Sequence, residues 1–290
     1  MSQTPADAKR ILFVLGMHRS GTSALTRVLS LCGATLPAGL VGADSSNPGG
    51  YWEPFMAIVL NEEILRRQGT AAFDPTLREE GFDADQKAAS IAAIRDYMTT
   101  LPNAPLVVIK DPRITVLSEL WFEAARKAGF DVAAVIAVRH PQEAVESCIR
   151  HVESLYKLSG VLPELGSAWW LKYNLLAERH TRGVPHVFVE YANLLDDWRR
   201  EIKRISTALK IELDPRDERA VEEFLTPDFR HQRQCGPVTD PIGTDWNSTV
   251  YEAMRAAAAD QPWDRSALDR VFEAYRVNER KPETPCTRET

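Results

Sequence analysis

The residues best equipped for chemistry stand together near the start of the chain: Gly16-Met17-His18-Arg19-Ser20-Gly21-Thr22-Ser23. Two glycines, three hydroxyls and a fixed cation in one short run can hold an anion. Five apolar residues, Ile11 to Leu15, precede the run, and Leu25, Val28 and Leu29 follow it at helical spacing. The pattern predicts a strand, a glycine turn and a helix start. The first N–H groups of such a helix have no partner within it, and its dipole adds about half a positive charge. Arg19 adds a full one. The anion is therefore expected against His18, Arg19, Ser20, Gly21, Thr22 and Ser23.

A Walker A loop has similar spacing, but that pattern requires Lys after its second glycine. Here Gly21 is followed by Thr22, and the cation sits inside the loop at Arg19. Three more apolar runs end in residues of chemical interest. Positions 106–109 lead into Lys110-Asp111-Pro112-Arg113, positions 132–138 into Arg139-His140-Pro141, and positions 186–190 into Tyr191. Ligands of open parallel α/β sheets gather beyond the carboxyl ends of the strands. Three of the four strand ends carry a fixed cation, which predicts a polyanionic ligand. An Arg at a strand end suits phosphate, because its guanidinium can make a two-pronged contact.

The elements that position these residues follow from periodicity. Four apolar runs alternating with helical segments predict an α/β fold, a P-loop-like parallel sheet flanked by helices on both faces. Helices are expected over 54–65, 84–101, 115–128, 141–149, 169–182 and 194–209. A helical C-terminal extension is expected over 248–259 and 266–276. Residues 1–10 read as a flexible arm, 11–278 as a single domain and 279–290 as a frayed tail.

Composition narrows the function classes. The chain has 290 residues, 44% hydrophobic and 26% charged, which is ordinary for a globular protein. The net charge of -6 argues against broad nucleic-acid binding. Cys32, Cys148, Cys235 and Cys286 show neither metal-type spacing nor a paired framework. The polar N-terminus and the lack of a long apolar run predict no signal peptide and no membrane span, and a cytoplasmic location.

The loop from Met17 to Ser23 resembles the 5′-phosphosulfate loop of bacterial-type sulfotransferases that use PAPS (3′-phosphoadenosine 5′-phosphosulfate). Arg139, followed eight positions later by Ser147, is similar to the 3′-phosphate motif of that family. Lys110-Asp111-Pro112-Arg113 matches a strand end seen in many bacterial members. Glu190-Tyr191-Ala192-Asn193-Leu194 is a degenerate form of the family's Tyr-Glu-Asp-Leu segment, with Ala192 and Asn193 in place of the acidic pair. The resemblance covers about residues 11–209. It implies transfer of a sulfo group from PAPS, as co-substrate and without a metal, to an acceptor hydroxyl on a carbohydrate or glycan. It places Tyr191 near the adenine and a late basic residue, Arg230, on the 3′-phosphate. In glycan and tyrosine sulfotransferases a Glu after the first helix points into the cleft; Glu53 holds a comparable place and is the expected base, with Asp111 as its rival. Arg19 would act by charge and hydrogen bonding rather than by giving up a proton. The alternatives are a P-loop nucleotide kinase, which would need Mg²⁺ ligands and normally the loop Lys, and a non-catalytic nucleotide-binding module.

Overall fold

A computed structural model describes residues 9–44, 46–77, 83–225 and 237–279. Four strands form one parallel sheet: β1 (Arg10–Leu15), β2 (Leu106–Ile109), β3 (Asp131–Val138) and β4 (His186–Glu190), in the spatial order β2-β1-β3-β4. In register, Phe13 lies between Ile109 of β2 and Ala134 of β3. The strands read as unbroken apolar runs because both faces are buried. Ile11, Phe13 and Leu15 point into one apolar cluster, while Leu12 and Val14 point into the other. The chain leaves β1 for β2 on one side, then crosses back to β3 on the other. The order reverses at β1, so a crevice opens beyond its carboxyl end.

Twelve described helices cover the sheet. On one face lie α1 (Thr22–Leu31), α8 (Tyr191–Asp196), α9 (Trp198–Leu209) and α10 (Glu218–Phe224). The other face carries α2 (Phe55–Arg67), α3 (Ala84–Met98), α4 (Pro112–Val116), α5 (Ser118–Lys127), α6 (Pro141–Tyr156), α7 (Pro163–Thr181), α11 (Trp246–Ala258) and α12 (Arg265–Glu279). The C-terminal pair belongs to this second layer, with Val250, Met254, Leu268 and Phe272 buried in the same cluster as the sheet.

The expected helix over 115–128 is two helices. Asp111 caps α4 by accepting from the Arg113 N–H at 3.2 Å, so the helix starts at Pro112, and Leu117 leaves the helical region before α5 begins. The helix expected from 169 starts at Pro163, where a proline suits the first turn. The helix expected from 194 starts at Tyr191 and is broken at Asp197, which then caps α9.

Candidate anion-binding cleft

The turn from β1 into α1 requires glycine twice. Gly16 has φ +133°, and a Cβ there would lie 2.8 Å from the Ala137 carbonyl oxygen. Gly21 has φ +87°, and its Cβ would lie 2.2 Å from the ring of Tyr191. Arg19 also takes a left-handed conformation, at φ 68°. Thr115 of α4 clamps the turn, its hydroxyl accepting the Gly16 N–H at 2.9 Å. No side chain caps α1, and among the described residues no acceptor takes the N–H groups of Gly21, Thr22, Ser23 or Ala24. The Ser20 hydroxyl is buried without a protein partner. Unsatisfied donors at a helix start, beside a fixed cation, make an anion cradle.

The third strand end meets this turn. Arg139 donates from Nη1 to the Arg19 carbonyl at 2.9 Å and from Nε to Glu143 at 2.9 Å. Its guanidinium lies 5.0 Å from the center of the Tyr191 ring. Arg19 donates from Nε to the Ser147 hydroxyl at 3.1 Å. The structure thus brings together Arg19, Gly21, Arg139, Ser147 and Tyr191, which come from the glycine turn, the residue after β3, α6 and α8. Burial lowers the pKa of Arg19, yet a guanidinium stays protonated in a protein.

The second strand end divides. Lys110 is fully buried and reaches Glu53 at 2.6 Å and Ser23 at 3.0 Å, which ties the segment before α2 to the glycine turn. Burial raises the pKa of Glu53 against the pull of Lys110, and burial lowers that of Lys110 against the pull of Glu53. Asp111, the next residue, turns inward and is fully buried. Its oxygens accept from Asn61 at 2.8 Å and from Arg113 Nη1 at 2.8 Å, and Asn61 in turn accepts from Trp121. Asp111 does not line the cleft; Glu53 does.

The cleft is lined by His18, Arg19, Gly21, Thr22, Ser23, Glu53 and Arg139, among others. The His18 ring lies between Phe73, at 4.9 Å, and Tyr173, at 5.7 Å. Burial, aided by Arg113, His151, Lys110 and Arg19, holds its pKa well below the usual value, so the imidazole is neutral. Arg230 falls outside the described residues. Two further residues belong to the site and were not expected from the sequence: Tyr51, which lines the cleft, and Glu143, which accepts from Arg139. The first stood in plain view beside Glu53, and the second lies one helical turn after Arg139. His151 also lines the cleft, one turn after Ser147 on α6.

A profile of the sulfotransferase family matches residues 12–215. The chain belongs to that family. A search of curated protein sequences gave no match. Among solved structures, the chain is similar to the sulfotransferase domain from the curacin biosynthetic pathway at 15% identity and a TM-score of 0.47, over 89% of this chain and 100% of that one. It is similar to the sulfotransferase domain of the Synechococcus PCC 7002 olefin synthase at 18% identity and a TM-score of 0.43, over 95% of this chain and 98% of that one. A sulfotransferase from Mycobacterium tuberculosis is similar at 15% identity and a TM-score of 0.39, over 87% of this chain and 77% of that one.

Proposed function

We propose that the chain moves a sulfo group from PAPS to an acceptor hydroxyl on a carbohydrate or glycan. The observation that carries the reading is the meeting of Arg139 and Ser147 with Arg19 at the glycine turn. Two adjoining sets of anion-binding groups suit a donor that has phosphates at two places on its ribose. ATP lacks the 3′-phosphate. The carbohydrate acceptor follows the likeness between the placement of Glu53 and that of the Glu in glycan sulfotransferases.

The residues fit such a donor. The N–H groups at the start of α1 and the Ser20 hydroxyl await acceptors, and Tyr191 offers a ring against the turn. Arg139 and Ser147 would hold the 3′-phosphate, and the turn the 5′-phosphate. PAPS supplies an activated sulfo group when bound. Arg19 and the α1 N–H groups oppose the charge that grows on the departing 5′-phosphate oxygen, each oriented donor being worth ~3 kcal/mol. Glu53 takes the acceptor proton at its carboxylate as the acceptor oxygen bonds to sulfur and the sulfur–oxygen bond to the phosphate breaks. Lys110 holds Glu53 in place and, by its contact with Ser23, keeps that carboxylate in register with the turn.

Calorimetry with PAP (the desulfated donor), ATP and ADP tests the reading, followed by labeled PAPS and a panel of sugars. Selective PAP binding and a labeled sugar are the expected results. ATP turnover halted by EDTA would make the chain a kinase, and PAP binding with no sulfated product would make it a nucleotide-binding module.

A further inference from the structure

We propose that the acceptor is an amphiphile: its hydroxyl enters the cleft while an attached alkyl chain lies in an apolar groove next door. The proposal rests on the sulfo-transfer reading and deepens it. The groove measures about 680 Å³ and is lined by Phe73, Val152, Tyr156, Leu158, Leu165 and Trp169. It adjoins the cleft. His18 lines the cleft and its ring lies 4.9 Å from that of Phe73. His151 lines the cleft, and its neighbor on α6, Val152, lines the groove.

The apolar part of the wall suits an alkyl chain. Leu158 is 57% exposed, Tyr156 56% and Leu165 37%, so these apolar side chains face water rather than a core. Across from them Glu62 of α2 borders the groove, and Phe55 and Val59, exposed on the same face of that helix, extend the apolar surface toward Glu53. Apolar surface gathered at one place beside a reactive cleft marks a binding site. The carboxylates on the lining are already engaged. Glu62 pairs with Arg113, and Asp74 accepts from Thr70 and Thr76. Against the apolar side chains a sugar would lose hydrogen bonds to water, whereas methylene groups would lose none.

The groove is preformed. Trp169 donates to the Phe73 carbonyl at 2.6 Å, Tyr173 to Ala72 at 3.0 Å and Lys172 to Asp74 at 2.7 Å. These bonds pin the wall-forming segment to α7, so a chain that enters meets a fixed surface.

The test is a series of methyl, butyl and octyl glucosides, kept below their micelle concentrations, with labeled PAPS and the full chain. We expect kcat/KM to rise about two- to fourfold per methylene until the groove is filled. The double variant Leu158→Asp, Leu165→Asp changes two exposed side chains and should flatten this rise while methyl glucoside turns over as before. Calorimetric titration of the PAP-loaded protein with octyl glucoside gives a readout that needs no turnover, and should show binding that the double variant loses. Rates and binding independent of chain length would overturn the proposal. So would a dimer that the double variant dissolves, because the surface would then belong to a second copy of the chain. Failure of PAP to bind would sink the sulfo-transfer reading alone, and the octyl glucoside titration of the PAP-free protein would still judge the groove.

Discussion

Lys110 and Asp111 are neighbors in sequence and belong to different worlds. Lys110 is buried behind the cleft wall, bound to Glu53 and Ser23, which line the open space. Asp111 faces the interior, where Asn61, Arg113 and the α4 N-terminus consume its lone pairs. Both sit at a strand end, where ligands of this sheet class collect. The contrast teaches that a strand end fixes a residue's place but not its job. Side chains alternate in direction as the strand runs out, so one of two consecutive charges reaches the groups that line the crevice and the next turns into the core.

The sharpest way to break this contrast is to neutralize one carboxylate in each region. Glu53→Gln should lower turnover about 10²- to 10⁴-fold if its carboxylate takes the proton. Asp111→Asn should leave turnover of the folded protein within about tenfold, since an amide can still serve as a cap. Rates with labeled PAPS check both, and an inert Glu53→Gln beside a dead Asp111→Asn would reverse the assignment. Next in size is stability. Asp111→Ala takes one of two carboxylates from Arg113, which keeps Glu62, and leaves the Asn61 amide unpaired in the core. It should cost about 2–4 kcal/mol in denaturant melts. Arg139→Ala should weaken PAP about 10- to 100-fold by calorimetry, the range for charged hydrogen bonds, with a smaller effect on the melting temperature.

The smallest effect is a pH dependence. His18 stays neutral in the folded chain because burial pushes its pKa well down, whereas the unfolded chain takes up a proton near pH 6.5. Below that pH the unfolded state binds more protons, so acid favors unfolding. Stability should fall by up to about 1.4 kcal/mol per pH unit from pH 6.5 down to the folded pKa, and His18→Gln should remove that slope from melts taken between pH 5 and 7.

Much of the scaffold could be read from residue order alone. The runs at 106–109 and 186–190 became β2 and β4 with those bounds, because strands buried on both faces show no polar interruption. Arg139 and Ser147 were legible as a pair through the resemblance to the family's 3′-phosphate motif, and in the structure both meet Arg19. Other features depend on contacts between distant parts of the chain. The pairing of Glu53 with Lys110 joins residues 57 positions apart and has no local signature. The start of α7 at Pro163 was hidden by Gly166 in its first turns, a poor helix former that packing against α6 overrides. The break at Leu117 is set by how α4 docks under the turn, where Thr115 holds Gly16.

The ring of Tyr191 occupies the room that any side chain at position 21 would need. Mutational tolerance at the turn is therefore governed from the opposite half of the polypeptide. Trimming the tyrosine would relieve the steric conflict and still leave the left-handed backbone, so Gly21→Ala should stay impaired even alongside Tyr191→Ala, with only part of its defect repaired.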